Sequence, residues 1–220
     1  VLDLGILGPV RAVRAGRDVA LGGPKQRAVL ALLLVDAGRV VSAEYLAEVL
    51  WNGAPPPGAS KTLRSYVSRL RSLLGPEATL DARGGGYVIS IEPDWVDAAR
   101  FEQLVGAGRD ALRRGEAAAA ASCLGKALAL WRGRALADMA EVEPLALEGA
   151  RLEDLRLVAV EGRIEAGLEL GLAAEVVGEL EQLVAEYPLR ERLWRLLVLA
   201  LYRPSGRLMR WPPTAGPGRC

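Results

Sequence analysis

Before Pro24, apolar residues alternate with polar ones in short runs: Leu2, Leu4 and Ile6, then Val10 and Val13, then Val19 and Leu21. Gly8-Pro9, Gly16 and Gly22-Gly23-Pro24 break these runs. Period-two alternation between turn residues predicts two to four short antiparallel strands. At Pro24 the period changes. Proline is preorganised for a first helical turn, and Val29, Leu30, Leu32, Leu33 and Leu34 place apolar groups on most faces until Gly38, predicting a buried helix. Ser42 offers an N-cap to a second helix carrying Leu46, Val49, Leu50 and Trp51, which ends in Asn52-Gly53 and Pro55-Pro56-Pro57-Gly58. A third helix is predicted from about Ala59 to Leu74, closed by Gly75-Pro76. Thr79 and Leu80, then Tyr87, Val88, Ile89 and Ile91, read as a hairpin with Arg83-Gly84-Gly85-Gly86 at its tip.

From Val96 onward the pattern is almost wholly helical. Phe101, Leu104, Val105 and Leu112 precede Gly115; Cys123, Leu124, Leu128 and Trp131 precede Gly133; Leu152, Leu155, Val158, Ile164 and Leu168 precede Gly171. A further pair follows, with Val176, Val177, Leu180, Leu183 and Val184 before Tyr187-Pro188, then Leu193, Leu196, Leu197 and Leu201. Gly171 and Gly206 stand roughly 35 residues apart after similar helices, close to the period of about 34 in tetratricopeptide (TPR) repeats. The expected fold class is therefore mainly α with a small β component: an N-terminal winged helix-turn-helix over 1–93, then an all-α TPR-like array over 94–207. Its concave faces could receive a partner, but the same apolar positions also suit plain inter-helix core.

Composition narrows the chemistry. The 220 residues are 51% hydrophobic and 25% charged, with a net charge of +1, as in an ordinary globular chain. With no His at all, the commonest general base and metal ligand is missing, and two Cys, Cys123 and Cys220, form no zinc spacing. A His-dependent hydrolase and a zinc enzyme are excluded, and no nucleophile and base pair is evident. Glu141 and Glu143, and Glu153 and Asp154, read as solvated ion pairs on helices. The expectation is no enzyme, no cofactor and no metal. Cys123 reads as a small apolar residue in a helix. Two Cys and no leader pattern predict a reduced, cytoplasmic protein, and no apolar run approaches the roughly 20 residues that span a bilayer.

Charge is unevenly placed. Basic residues outnumber acidic ones before Pro93, and acidic ones prevail after it. In the third helix Leu63, Val67, Leu70 and Leu74 form one stripe, while Lys61, Ser65, Ser68 and Ser72 lie opposite, flanked by Arg64, Arg69 and Arg71. No acid occurs in that helix. A solvated basic face is one reading; the small hydroxyls between cations, without the Glu partners that usually lace a surface helix, favour a nucleic-acid face. The glycine-rich tip fits a plain hairpin turn or a close backbone approach. No Gly-Lys-Ser/Thr follows it, which argues against a nucleotide loop.

Strands, three helices and a hairpin follow the order of a winged helix, and the stretches TLRSYVSRLRSLLG and LDARGGGYVI resemble the recognition helix and wing of the OmpR/PhoB type. In the second half RFEQLVGAGRDALRRG, ALALWRGRALADM, RLEDLRLVAVEGRIEAGLELG and ELEQLVAEYPLRERLWRLLVLALYR resemble the bacterial transcriptional activation domain of the Streptomyces antibiotic regulatory protein (SARP) family. The resemblance covers about residues 2–207. It implies a transcriptional activator of a secondary-metabolite gene cluster that binds double-stranded DNA at tandem promoter repeats, two copies together as a homodimer on DNA, and contacts RNA polymerase. It also implies DNA-binding roles for Lys61, Thr62, Arg64, Ser65, Ser68, Arg69 and Arg71 in the major groove, and for Arg83, Gly84, Gly85 and Tyr87 in the wing. Arg69 is the foremost base-contact candidate, since its fork can take guanine O6 and N7 together; Lys61, Thr62 and Arg64 suit phosphates. Val88 stands where several relatives carry a basic residue after the wing tyrosine, so deep minor-groove reading is not expected. The turn from Trp51 to Gly58 suits either a polymerase contact or a rigid connector.

The last residues depart from the family pattern. Arg203-Pro204-Ser205-Gly206 leads into Leu208 to Trp211, Pro212-Pro213 and a Pro- and Gly-rich end without a helical stripe. Residues 208–220 are expected to be an irregular non-family tail. On that reading the final repeat is C-terminally truncated, and the apolar face of Leu193 to Leu201 lacks cover. A protein-interaction scaffold, using the TPR-like half with a degenerate winged helix, is the rival reading.

Overall fold

The computed structural model describes residues 2–202. Strands β1 (Leu2–Gly5), β2 (Arg11–Arg14) and β3 (Arg17–Asp18) form an antiparallel sheet in sequential order, with Leu2 opposite Arg14 and Gly5 opposite Arg11. Next come α1 (Pro24–Val35), β4 (Val41–Ser42), α2 (Ala43–Leu50), α3 (Ala59–Leu74), β5 (Thr79–Arg83) and β6 (Gly86–Ser90). The second sheet runs β4-β6-β5. β4 was not foreseen, because two residues carry no period; it exists by pairing Val41 with Tyr87 and Ser42 with Gly86. Ser42 also caps α2, its Oγ accepting the Tyr45 N–H at 3.0 Å.

The apolar periphery of α1 has a tertiary cause. Ala28 to Leu34 are all buried, and the helix touches α2, α3 and β6 within the winged helix while also meeting α6 of the helical half. A helix with cores on several sides needs no polar face.

The helical half contains α4 (Asp97–Arg113), α5 (Ala117–Leu128), α6 (Glu143–Glu169), α7 (Ala173–Glu186) and α8 (Glu191–Tyr202). At 27 residues, α6 is about 40 Å long and packs against α4, α5, α7 and α8 as well as α1. Its buried positions fall on several faces for that reason. Periodicity carried the second helix of this half through Trp131, but α5 stops at Leu128 and the chain turns back. Trp131 packs edge-on against Phe101 at 5.2 Å between ring centroids. The segment beyond it runs beside the β1–β2 connection, Arg132 N–H donating to Leu7 O and Leu136 N–H to Ile6 O, each at 2.9 Å. Leu136 is buried with φ of 52°, a conformation seldom adopted by a branched residue and held here by its surroundings.

Asp97, at the start of α4, sits at the centre of this junction. It is 4% exposed and accepts the backbone N–H groups of Ile6 at 2.8 Å and Leu7 at 3.1 Å and the Arg132 guanidinium at 3.0 Å. Arg132 also donates to Pro9 O, while Asp138 accepts Val10 N–H and pairs with Arg27 at 2.9 Å. Glu153 does more than its ion pair with Arg156 at 3.5 Å: its Oε1 accepts the Ala135 N–H at 2.9 Å and fixes the same segment. One hydrophobic core runs from Leu2 through α1 and α3 to Phe101, Leu124 and Leu152. A second joins Ile164 and Leu168 to α7 and α8.

In α8, Leu193, Leu196 and Ala200 are covered by this second core, so the expected loss of cover does not extend to them. The opposite face is open: Trp194, Val198, Leu201 and Tyr202 are exposed. The expected tail, 208–220, and Gly206 lie outside the described residues.

Candidate nucleic-acid interface

α3 occupies Ala59–Leu74, as its periodicity predicts. Leu63, Val67, Leu70 and Leu74 are buried against α1, α2 and β5, which fixes the rotation of the helix about its axis. Rotation in turn decides what faces outward. Lys61, Arg64, Ser65, Ser68, Arg69 and Ser72 are all exposed on the opposite side, and Thr62 and Tyr66 stand half-buried at its edges. The helix begins after Gly58, whose φ of 89° turns the chain out of the proline-rich connector; the N–H groups of Lys61 and Thr62 donate to Gly58 O at 2.9 and 3.1 Å.

Several side chains are already engaged. Arg64 Nε donates to Ser60 O at 3.2 Å, and Ser72 Oγ to Ser68 O at 3.3 Å, both local contacts that leave the groups at the surface. Arg71 differs, since its Nε and Nη2 both donate to Leu80 O, at 2.8 and 2.6 Å, and so tie the end of α3 to β5. It braces the wing instead of standing free with the other cations. Lys61, Arg64, Arg69 and Arg83 make no ion pair among the described residues. Several arginines of the helical half are paired, as Arg163 with Glu179, Arg190 with Glu161 and Arg192 with Glu165, whereas α3 itself contains no acid that could neutralise its cations. The outer face of α3 is thus a positive surface without internal neutralisation, suited to an external anion.

The wing tip is a two-residue turn. Gly84 and Gly85 have φ of 52° and 81° between the paired residues Arg83 and Gly86, the left-handed geometry that a tight hairpin needs. Gly85 O accepts the Ala43 N–H at 3.1 Å, so the tip is tied to the start of α2. Gly86 serves a different approach from the one its neighbours suggested: a Cβ there would collide with the Val41 carbonyl, so its missing side chain is what admits β4. Arg83 is exposed and Tyr87 is not. At 8% exposure Tyr87 belongs to the core between Val41 and Ala82, because strand alternation turns it inward; the expectation of a DNA-facing tyrosine is corrected.

Tyr87 is thus separated from the group that the sequence suggested; Arg71 remains exposed while held to Leu80 O, and Ser60 is exposed in the first turn of α3. Among the described residues no cluster of three or more His, Cys, Asp or Glu could hold a metal ion, and no helix is long and apolar enough to cross a membrane.

Comparison with known proteins agrees with this arrangement. Residues 16–89 match the family described as transcriptional regulatory protein, C terminal, and residues 96–208 match the bacterial transcriptional activator domain. Regulatory protein AfsR of Streptomyces coelicolor is 43% identical over 207 residues, covering 94% of this chain and 20% of that protein. Regulatory protein DnrI of Streptomyces peucetius is 37% identical over 216 residues, covering 94% of this chain and 79% of that protein. A solved structure of Mycobacterium tuberculosis EmbR, in complex with a low-affinity phosphopeptide, superposes with a TM-score of 0.88 at 38% identity, covering 91% of this chain and 54% of that one. The chain thus spans a fifth of AfsR and about half of the EmbR structure. With a winged helix and an activator domain in the same order as in these relatives, the chain belongs to the SARP family of bacterial transcriptional regulators.

Proposed function

We propose that this chain is a sequence-specific DNA-binding activator that lays α3 in the major groove of promoter repeats, controls genes of a secondary-metabolite cluster, and acts as two copies on DNA that contact RNA polymerase. The observation that carries the reading is the outer face of α3, where Lys61, Arg64 and Arg69 stand exposed and without carboxylate partners. Cations of this kind displace counterions from phosphates and give affinity that falls steeply with salt. Base readout is assigned to Arg69, with Ser65 and Ser68 beside it; Lys61, Thr62 and Arg64 hold the backbone, and Arg83 with the Gly84 and Gly85 tip lies against the neighbouring phosphates. On this reading residues 1–93 form the DNA-binding unit and 94–207 a TPR-like unit that presents it to a partner protein.

Titration of the intact chain with specific and scrambled duplexes at several salt concentrations tests these roles. Arg69→Ala is expected to cost about 1–3 kcal/mol on the specific duplex and to relax preference at one base pair, whereas Lys61→Ala weakens both duplexes alike and lowers the salt slope by about one. Equal losses on both duplexes for both substitutions would remove Arg69 from its assigned role.

A further inference from the structure

Where the two halves meet, a cleft of 490 Å³ opens between the end of α1, the residues after β6, and the starts of α4 and α6. Its walls come from both halves. Val35 and Ile91 line it from the winged helix, Val96 and Ala99 from the helical half, and Ile6, whose N–H is held by Asp97, lies at its floor. Concave, mainly apolar sites at a junction of this size, with a few polar groups on one side, are the usual form of a small-molecule site.

The polar groups define the charge that fits. Arg151 lies between two carboxylates, its Nη2 2.5 Å from Glu102 Oε1 and 2.7 Å from Glu148 Oε1, while its Nε donates to the other Glu148 oxygen at 2.8 Å. All three residues line the cleft, so two negative charges face one positive charge. Glu148 is fully used by Arg151, whereas Glu102 gives it one oxygen and keeps the other available. Leu34 and Val35 at the end of α1, with Ala37 and Gly38 just beyond it, form a further, mainly apolar part of the wall. The surplus carboxylate therefore calls for a cation.

We propose that this cleft binds a small apolar molecule bearing a protonated amine, its ring or chain against Val35, Ile91 and Ala99 and its ammonium group on Glu102. Because its walls belong to both halves, such a ligand stabilises the junction through contacts that neither half makes alone. The site is separate from α3 and does not depend on the DNA-binding reading.

Methyl NMR of the intact chain, titrated with tryptamine and separately with indole-3-propionate, tests the proposal without DNA. Tryptamine is expected to shift the Ile91 and Val35 methyls in a saturable manner at millimolar concentration, while the anionic probe leaves them in place. Glu102→Gln should weaken tryptamine about tenfold, and Ala99→Trp, which fills the cleft and keeps every charge, should abolish the shifts while the remaining methyl spectrum confirms the fold. Equal response to the two probes, saturable shifts confined to other methyls, or no saturable response would overturn it.

Discussion

At the scale of single residues, identical side chains acquire different tasks from where the backbone places them. Arg69 and Arg71 are two positions apart on one helix, yet Arg69 is free of ion pairs and Arg71 is bound to Leu80 O. Arg71→Ala is therefore expected to lower thermal stability, by up to about 1.5 kcal/mol for a charged donor at a partly exposed site. It should reduce duplex affinity less than Arg64→Ala; a melting curve and a binding titration on the same two variants separate these effects. Gly86→Ala places a methyl group against the Val41 carbonyl, so pairing between β4 and β6 must shift, a loss of about 1–3 kcal/mol on the scale of overpacked cores. A denaturant midpoint equal to that of the parent would show that β4 gives way freely. Most of the α3 face was legible because a buried stripe of period 3.6 fixes what lies opposite. Tyr87 was misread because its role was carried over from the resemblance, while strand alternation places it in the core. The Arg71 bond was invisible because its acceptor is a backbone carbonyl, which sequence does not distinguish.

At the scale of elements, α1 and the 129–142 segment show where local pattern suffices and where it does not. The all-round apolar character of α1 announces burial, and the structure supplies the several cores that require it. Leu33, fully buried, is expected to cost about 2–5 kcal/mol when replaced by Ala, measured by chemical denaturation. The helix that periodicity extended through Trp131 stops earlier because Trp131, Arg132 and Leu136 find partners in Phe101, Asp97 and the Ile6 and Leu7 carbonyls. Those partners lie far away along the chain, and no window of neighbouring residues contains them. The same applies to β4, which exists only because β6 lies beside it. By contrast, the two-residue turn at Gly84-Gly85 and the Ser42 cap are local and were readable in place.

At the scale of the whole molecule, the junction around Asp97 joins the winged helix that carries α3 to the helical half. A continuous core and the hydrogen bonds from Ile6, Leu7 and Arg132 to Asp97 join them. Asp97→Ala leaves two buried backbone N–H groups and a guanidinium without their acceptor, a loss of about 3–5 kcal/mol as for a broken buried ion pair. The parent chain is expected to unfold in one transition followed by Trp fluorescence and far-ultraviolet dichroism together, and Asp97→Ala to shift it to lower denaturant; an unchanged midpoint would mean the junction contributes little. These contacts set the angle at which the helical half stands to α3, and so, on the proposed reading, to bound DNA. The central claim, that α3 reads sequence, is tested most directly by selecting duplexes from a randomised pool with the intact chain at two salt concentrations. The account predicts enrichment of a repeated motif that persists at the higher salt, and its loss in Arg69→Ala. Binding that enriches no motif and vanishes with salt would contradict it, leaving only charge attraction at the surface of α3.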